Sequence, residues 1–181
     1  MNIIIFGPPG AGKGTQAKYL VNKLNSFQVS TGDMLREEIK KNSTIGKNII
    51  NNMNEGKFVD DEIVNKLLEN VIFDPNKTNK LIFDGYPRTI NQAKNLDNLL
   101  NKSNQKIDFI FFLNVKKDSI IKRIEKRSDD NSETILKRYD TYMDVTKPVL
   151  DFYSKKENYH EIDGSLEIDN ISQKIAEILN V

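Results

Sequence analysis

A glycine-rich stretch near the start of the chain, GPPGAGKGT at residues 7–15, contains groups that could bind phosphate. Phosphate-binding loops usually read G-x-x-x-x-G-K-[ST], and the hydroxyl after the lysine binds Mg²⁺. Gly7 to Lys13 fit this pattern, but Gly14 follows the lysine and the hydroxyl comes one position later, as Thr15. The stretch lies between an apolar run and a helical pattern. Its backbone N–H groups are therefore expected to form an anion site, with Lys13 adding a positive charge for the β- and γ-phosphates.

A second stretch, LIFDGYPRTINQ at residues 81–92, combines groups for metal, phosphate and base recognition. Asp84 is expected to end a strand near the phosphate loop and to hold a water bound to Mg²⁺. Arg88 would project from the start of a helix as a phosphate ligand, and Gln92 lies one helical turn later, where its amide could bind one edge of a base. Alternatively, Asp84 could be a structural residue and Arg88 and Gln92 ordinary surface residues. This explains each residue alone, but it does not explain why all three occur together.

Arginine is rare in this chain, and each arginine is therefore a candidate phosphate ligand. Lysine supplies most of the 27 basic residues, whereas a planar guanidinium is preferred where two phosphate oxygens must be bound together. The five arginines are Arg36, Arg88, Arg123, Arg127 and Arg138. Arg36 ends the stretch VSTGDMLR, in which Ser30, Thr31 and Asp33 also suit a helix start. Asp33 is a weaker candidate for contact with Mg²⁺ through water.

The composition limits the class of protein. The chain has 181 residues, of which 38% are hydrophobic and 29% charged, and its net charge is +1. This suits one packed domain over residues 1–181 and gives no electrostatic reason to expect nucleic acid or membrane partners. Because the chain has no cysteine, no thiolate zinc site is expected. The opening MNIIIFGPPG has no basic leader and only a short apolar run, which favours a buried strand in a cytoplasmic protein.

Apolar runs that alternate with helical patterns predict an α/β fold. Short runs closed by turn residues predict strands at Ile3–Phe6, Phe27–Val29, Leu81–Phe83, Phe109–Leu113 and Tyr159–Ile162, the second and last being the weaker candidates. Helical spacing predicts helices at Lys13–Leu24, Asp60–Phe73, Thr89–Leu100, Ser132–Tyr153 with a kink near Pro148, and Leu166–Leu179. The alternation predicts a doubly wound parallel sheet with flanking helices, which binds ligands beyond the carboxyl ends of its strands.

Two segments interrupt this alternation. Residues 30–59 show two polar helical stretches around Asn42–Gly46 and no convincing strand, which indicates a small helical insertion. Residues 127–131, RSDDN, form a second and charged break between helices.

Together these motifs resemble the adenylate kinases of the nucleoside monophosphate kinase superfamily, and the resemblance runs from Met1 to about Gly164. GPPGAGKGT matches the family's ATP loop, with glycine and threonine in their usual order. LIFDGYPRTINQ matches its most specific signature, while VSTGDMLR and GKFV (residues 56–59) match the entry and exit of its monophosphate site. The resemblance implies a five-stranded sheet of the P-loop NTPase type. It also implies that residues 30–59 bind the monophosphate, that residues 127–131 are the remnant of a lid, and that the protein is a monomer.

The resemblance also assigns contacts residue by residue. Those expected to hold ATP are Gly10, Ala11, Gly12, Lys13, Gly14, Thr15, Arg123, Arg127 and Gly164. Those expected to hold AMP are Thr31, Arg36, Lys57, Phe58, Val59, Gly85, Tyr86, Pro87, Arg88, Gln92, Arg127 and Arg138. The catalytic charges are expected from Lys13, Arg88, Arg123, Arg127 and Arg138. Mg²⁺ is expected to arrive with ATP and to contact Asp84, or more weakly Asp33, through water.

One departure from the family pattern concerns the lid. Related enzymes usually separate two arginines by a lid loop, but here Arg127 runs directly into Ser128-Asp129-Asp130-Asn131. The lid is therefore minimal and cannot carry zinc, and one arginine occupies what are usually two positions. Whether Lys126 supplies the second charge stays open at this point.

The resulting hypothesis is the reversible reaction MgATP + AMP ⇌ 2 ADP, which would balance the adenine nucleotides. A UMP/CMP kinase is the nearest alternative because it shares the short lid and the RSDDN run. Thr31 and Gln92 argue against it, since the pyrimidine enzymes typically have alanine and asparagine there. A nucleotide-binding switch that performs no phosphoryl transfer is a third reading, and it predicts ATP binding without AMP-dependent formation of ADP.

Overall fold

A computed structural model describes residues 1–55, 57, 59–125 and 132–181 of the chain. Within these ranges, five parallel strands form one sheet: β1 (Ile3–Phe6), β2 (Phe27–Ser30), β3 (Leu81–Asp84), β4 (Phe109–Asn114) and β5 (Tyr159–Asp163). Their order across the sheet is β2-β3-β1-β4-β5, and every adjacent pair is parallel. The prediction of a doubly wound, five-stranded parallel sheet is confirmed.

Helices cover both faces of this sheet. They are α1 (Lys13–Leu24), α2 (Thr31–Lys40), α3 (Thr44–Asn54), α4 (Asp61–Ile72), α5 (Ile90–Lys102), α6 (Lys117–Glu125), α7 (Ser132–Thr141), α8 (Lys147–Tyr153) and α9 (Ile168–Leu179). None of the helices in the described ranges is long and apolar enough to cross a membrane.

The central strand β1 is apolar throughout because both of its faces are buried, whereas the edge strands β2 and β5 carry polar residues. Ile3, Ile4 and Ile5 of β1 are all fully buried, and successive side chains of a strand point to opposite faces. Ile4 therefore packs with residues of α4, α5 and α8, whereas Ile3 and Ile5 pack with residues of α1 and α9. This double cover accounts for the continuous apolar runs that predicted the strands.

The order of the strands fixes where a ligand can bind. Strand β1 has β3 on one side and β4 on the other, and the chain crosses β1 when it passes from β3 to β4, so the switch point of the sheet lies at β1. A crevice opens beyond the carboxyl ends of the strands at such a point. The loop after β1 and the residue that ends β3, Asp84, lie at this edge, where Ile5 of β1 is in register with Asp84.

Two helices, α2 and α3, lie within residues 30–59, the segment for which a helical insertion is predicted. Ser30 caps α2 by accepting from the Asp33 N–H at 3.2 Å, and Ser43 caps α3 by accepting from the Gly46 N–H at 2.9 Å. A Cβ atom on Gly46 would collide with the Glu38 carbonyl group, so glycine lets α3 approach the end of α2. Phe58 and residues 127–131 lie outside the described residues.

The prediction of one helix over Ser132–Tyr153 with a kink near Pro148 is wrong in detail. A π-helical turn, Tyr142–Thr146, separates α7 from α8, and Pro148 lies in the first turn of α8. Proline has no N–H to donate to the carbonyl four residues earlier, but it is tolerated in the first turn of a helix. The irregularity therefore precedes the proline, and single π-helical turns of this kind often accompany functional sites.

Candidate functional site

The loop between β1 and α1 has the backbone shape of an anion site. Gly10 and Gly12 have φ values of 81° and 92°, a left-handed conformation that glycine adopts without strain. Gly12 is the N-cap of α1, and no side chain of the described residues caps this helix. The N–H groups of the first turn, which begins at Lys13, can therefore point at a ligand.

Lys13 is a partly buried cation within this loop. Its Nζ donates a hydrogen bond to the Pro8 carbonyl oxygen at 3.1 Å. Burial lowers the pKa of Lys13 to about 8. The carboxylate of Asp84 opposes this shift, and the positive charges of Arg88 and Arg138 add to it. These charged groups therefore share one electrostatic environment at the end of the sheet.

The side chain of Asp84 places a carboxylate beside the phosphate loop. Its Oδ2 accepts a hydrogen bond from Gln28 Nε2 at 3.0 Å, and it lies 3.5 Å from the position that a Cβ atom would take on Gly14. Gly14, which replaces the usual hydroxyl residue, thus faces Asp84. In the part of the chain that is described, no group of three carboxylate, imidazole or thiolate side chains could hold a metal ion.

Arg88 is held against the backbone that follows β3. Its Nε donates to the Gly85 carbonyl oxygen at 2.6 Å, and the positive φ of Gly85, 75°, shapes the turn beneath it. Burial lowers the pKa of Arg88 to about 10; Arg138 and Arg36 lower it further, and Asp84 opposes them. Three of the five arginines therefore lie close enough to influence one another, as an anionic ligand between them would require.

A first cavity, which we call the transfer cavity, lies between the loop and the end of β3. Its charged lining consists of Lys13, Arg88 and Arg138, and Pro87 forms part of its wall. The hydroxyl groups of Tyr142 and Thr146 also belong to residues that line it, and neither has a hydrogen-bond partner among the described residues. Burial raises the pKa of Tyr142, which keeps its hydroxyl protonated and able to donate.

A second cavity, the monophosphate cavity, opens towards α2 and α3. Nine predicted AMP ligands line it: Thr31, Arg36, Lys57, Val59, Gly85, Tyr86, Arg88, Gln92 and Arg138. Gly85, Arg88 and Arg138 line the transfer cavity as well. The two cavities thus meet at two guanidinium groups and one glycine. Of the other three predicted ligands, Pro87 lines the transfer cavity, whereas Phe58 and Arg127 lie outside the described residues.

The polar groups at the rim of the monophosphate cavity are exposed. Arg36 forms an ion pair with Asp33, and these side chains are 54% and 66% exposed. Burial raises the pKa of Asp33, but hydrogen bonds from Arg36 and Ser30 outweigh this and hold it below its ordinary value. Asp33 therefore faces a cation of its own helix. Lys57 pairs with Glu55 at 2.6 Å and is 68% exposed.

Two residues predicted to contact ATP, Arg123 and Gly164, meet on the other side of the loop. Arg123 of α6 donates to the Gly164 carbonyl oxygen at 2.7 Å, and Gly164 follows β5 directly. A Cβ atom on Gly164 would lie 2.5 Å from a methyl group of Val115, so only glycine fits without displacement. Gly10 of the loop faces Ile120 of the same helix, α6, which links this region to the phosphate loop.

Three residues that line or contact the cavities were not predicted from the sequence. Tyr142 and Thr146 are four residues apart in a helix, which is an ordinary core spacing and carries no functional signal. Asp61 contacts both Gln92 and Thr89 across about 30 residues of chain. In the sequence it follows the helix cap Asp60 and is indistinguishable from an ordinary acidic residue of a first helical turn.

Comparison with known proteins identifies the family. The family model for adenylate kinase matches residues 5–158. An adenylate kinase of Pelagibacter ubique is 48% identical over the whole of both chains. Adenylate kinases of Mycoplasma capricolum and of a Nocardioides strain are 40% and 35% identical; the former match covers 95% of this chain and 93% of the relative, the latter 100% and 98%. The chain therefore belongs to the adenylate kinase family, whose reaction is the transfer of a phosphoryl group between ATP and AMP.

Proposed function

We propose that the chain transfers the terminal phosphoryl group of MgATP to AMP inside the transfer cavity, and that the residues predicted above carry this reaction. One observation carries the proposal: the transfer and monophosphate cavities share Gly85, Arg88 and Arg138. A phosphate bound in one cavity would therefore lie next to a phosphate bound in the other. This adjacency is what in-line transfer between two nucleotides requires.

The reaction needs no protein nucleophile. The phosphate of AMP attacks the γ-phosphorus in line, through a loose transition state whose negative charge is spread over the transferred group. The protein's task is to position the two nucleotides and to stabilise that charge. Lys13, Arg88 and Arg138 would supply positive charge inside the cavity, and Tyr142 and Thr146 would supply hydroxyl donors from its opposite wall.

ATP would be held by the loop and by α6. Residues Gly10 to Thr15 present backbone N–H groups and the charge of Lys13 to its phosphates. Arg123, which donates to the Gly164 carbonyl oxygen, would contact ATP and add one of the catalytic charges, and Gly164 would lie near the ATP base. Arg127 would add a charge from the shortened lid, with Lys126 as the candidate for the second one. The lid and residues 30–59 would close over the nucleotides and exclude water.

AMP would be held at its phosphate by Arg36 and Arg88 and at its base by Gln92 and Thr31. The Thr31 hydroxyl lies at the carboxyl end of β2 and donates to the Gly85 carbonyl oxygen at 3.2 Å, which places it over the turn that carries Arg88. Lys57, Phe58 and Val59 would form one wall of the base site. Tyr86 also lines the monophosphate cavity, and Pro87 would contact AMP from the adjoining transfer cavity.

The donor set near the loop suits Mg²⁺ bound mostly by nucleotide and water. Mg²⁺ keeps several waters and takes one or two carboxylates, and Asp84 is the carboxylate beside Gly14. When bound with ATP, the ion neutralises charge on the phosphate oxygens. Asp84 would accept hydrogen bonds from its waters. Asp33 is the weaker candidate because its ion pair with Arg36 already occupies its carboxylate.

Two variants test whether Asp84 contacts Mg²⁺ through water while Thr15 binds the phosphates of ATP. Asp84→Asn is expected to raise the Mg²⁺ concentration needed for half-maximal activity several-fold. Thr15→Ala is expected to raise the KM for ATP while leaving that Mg²⁺ requirement unchanged. A steep rise in the Mg²⁺ requirement of Thr15→Ala would show instead that the displaced hydroxyl binds the metal.

The lid proposal is supported by the length of a relative. The alignment with the Pelagibacter ubique adenylate kinase has 213 positions and covers all 181 residues of this chain, so 32 positions have no counterpart here. We place part of this difference at residues 127–131, where the sequence of this chain runs directly from arginine into the Asp-Asp-Asn run. We further propose that the protein acts as a monomer in the cytoplasm and contributes to the balance of adenine nucleotides.

A comparison of acceptors tests the proposed function. ADP formation from MgATP is measured with AMP, UMP, CMP or GMP at equal concentrations. AMP is expected to give by far the highest kcat/KM. Faster reaction with UMP or CMP would identify a pyrimidine monophosphate kinase, and ATP binding without AMP-dependent formation of ADP would identify a nucleotide-binding switch.

A further inference from the structure

A closed hydrogen-bond network surrounds the side-chain amide of Gln92. Gln92 Nε2 donates to Asp61 Oδ1 at 2.6 Å, and Gln92 Oε1 accepts from the Arg88 backbone N–H at 2.7 Å. The other oxygen of the carboxylate, Asp61 Oδ2, accepts from the Thr89 hydroxyl at 3.0 Å. That hydroxyl in turn accepts from the Gln92 N–H at 3.1 Å and caps α5. Every bond in this network has a donor facing an acceptor.

This network fixes which end of the amide points in which direction. An ionised carboxylate can only accept hydrogen bonds, and a backbone N–H can only donate. The amide nitrogen of Gln92 must therefore face Asp61, and its oxygen must face the Arg88 N–H. Rotating the amide by 180° would place oxygen against the carboxylate of Asp61 and NH₂ against the Arg88 N–H. Both contacts would then be repulsive.

The fixed orientation leaves one donor and one acceptor for a ligand. The amide group has two N–H donors and an oxygen with two lone pairs, and the network uses one of each. Gln92 is only 3% exposed, yet it lines the monophosphate cavity. The base in this cavity therefore meets a donor and an acceptor in a set order.

We propose that Asp61 is a positioning residue that locks the Gln92 amide into the order that accepts adenine and rejects 6-oxopurines. Adenine presents an N1 acceptor and an amino donor at C6, which complement the free N–H and the free lone pair of the amide. Hypoxanthine and guanine present N1–H and a C6 carbonyl oxygen, the reverse order. An amide that could rotate would accept either base, whereas a locked amide leaves the 6-oxopurine facing like groups. This inference rests on the proposed role of Gln92 in binding the base of AMP.

Asp61 is suited to this role because its bonds are charge-assisted. Hydrogen bonds to an ionised carboxylate are roughly twice as strong as those between neutral groups, and leaving a buried polar group unsatisfied is costly. Asp61 belongs to the first turn of α4, while Gln92 belongs to α5. The hydrogen bond from Asp61 is therefore imposed from a different helix, whereas the bond from the Arg88 N–H comes from the turn just before α5.

The test compares AMP with inosine 5′-monophosphate, whose base differs from adenine only at this edge. Asp61→Asn keeps the shape of the side chain but replaces one acceptor oxygen by NH₂. Both orientations of the Gln92 amide then find a partner at residue 61, and only the Arg88 N–H still opposes the rotated one. We expect the preference for AMP over inosine 5′-monophosphate, measured as the ratio of kcat/KM values, to fall roughly tenfold. The change should appear in the KM for the monophosphate, while kcat with AMP and the KM for ATP stay close to those of the unaltered protein.

Two further variants complete the experiment. Glu62→Gln removes the same charge from the same helical turn, but the Glu62 side chain is exposed. The preference for AMP over inosine 5′-monophosphate should therefore stay within about twofold of that of the unaltered protein. Gln92→Met removes the amide and should abolish most of the preference.

The pattern of results separates the lock from the base site itself. An unchanged preference in Asp61→Asn, together with a lost preference in Gln92→Met, would overturn the role of Asp61 alone. An unchanged preference in both variants would overturn Gln92 as the residue that binds the base, and the inference with it. A loss in Asp61→Asn that Glu62→Gln reproduces would assign the effect to helix charge and would also overturn the lock.

Discussion

The transfer cavity and the rim of the monophosphate cavity use the same residue types in opposite ways. In the transfer cavity, Lys13 and Arg88 are partly buried, and burial together with neighbouring cations lowers the pKa of each. At the rim, Arg36 and Lys57 are more than half exposed and pair with Asp33 and Glu55 on their own segment. The transfer cavity thus holds positive charges close to one another, whereas the rim holds positive charges that are solvated and paired with carboxylates.

This difference indicates where the free energy of ligand binding is used. Cations held close together in a partly buried cavity repel one another, and a polyphosphate relieves that repulsion; such preorganised charge is what stabilises a transition state. Exposed ion pairs contribute only about 0–1 kcal/mol, so they can be exchanged for a ligand at little cost. This difference agrees with the proposal that the chemical step takes place in the transfer cavity and that the rim binds the incoming monophosphate.

The largest effect is expected from removing the charge of Lys13. Lys13→Met should lower kcat/KM for ATP by about 10²–10³, because no other residue of the loop carries a charge towards the phosphates. Lys18→Met serves as the matched control, since Lys18 lies on the same helix but is exposed, and it should leave the rate within about twofold of the starting value. Steady-state kinetics of both variants provide the comparison, and equal losses would refute the assignment.

The lowered pKa of Lys13 predicts a pH effect on ATP binding. Because the pKa is about 8 in the free protein, Lys13 loses its proton as the pH rises through that value. The kcat/KM for ATP should therefore fall roughly tenfold between pH 7 and pH 9, while kcat should fall only at higher pH, since bound phosphate raises the pKa. A flat profile of kcat/KM across this range would contradict the prediction.

The same pKa predicts an effect of opposite sign on stability. The pKa of Lys13 is about 8 in the folded protein and near 10.5 when the chain is unfolded, so the unfolded state binds more protons between these values. The contribution of Lys13 to the free energy of unfolding should therefore rise as the pH increases from 8 to 10.5. Denaturant unfolding of the unaltered chain and of Lys13→Met at both ends of this range measures that difference.

A smaller effect is expected from disturbing the rim alone. Gly46→Ala would force a side-chain carbon against the Glu38 carbonyl group and shift α3 relative to α2. The KM for AMP should rise several-fold, while the KM for ATP stays unchanged because the loop after β1 is untouched. Asn48→Ala, an exposed change on the same helix, is the control. Equal changes in both KM values would show that the two regions are not separable in this way.

Much of the fold could be predicted from the sequence because the sheet is covered on both faces. The run Ile3–Phe6 has no polar position, and glycine or aspartate closes β1 and β3 where the ligand edge begins. The phosphate loop and the signature after β3 are likewise continuous in sequence, so candidate ligands could be proposed from them. The irregular turn Tyr142–Thr146 was misplaced because proline marks the start of the next helix and not the irregularity itself.

Contacts between distant segments could not be predicted. Gln92 could be assigned to a base by its spacing from Arg88, but its orientation depends on Asp61, which lies 31 residues earlier and on another helix. Tyr142 and Thr146 line the transfer cavity together with Gly7 and Pro9 of the loop, which lie far earlier in the chain. Such residues carry no local signal, since their roles arise from packing between elements.

The most direct test of the division between the two regions compares two arginines by single-turnover kinetics. ADP formation from MgATP is followed at saturating AMP in Arg88→Lys and in Arg36→Lys, because lysine keeps the charge but loses the bidentate geometry. Arg88→Lys should remain slower by about 10²–10³ while still binding ATP, whereas Arg36→Lys should recover nearly the full rate once AMP is saturating. Equal residual rates in the two variants would contradict the account.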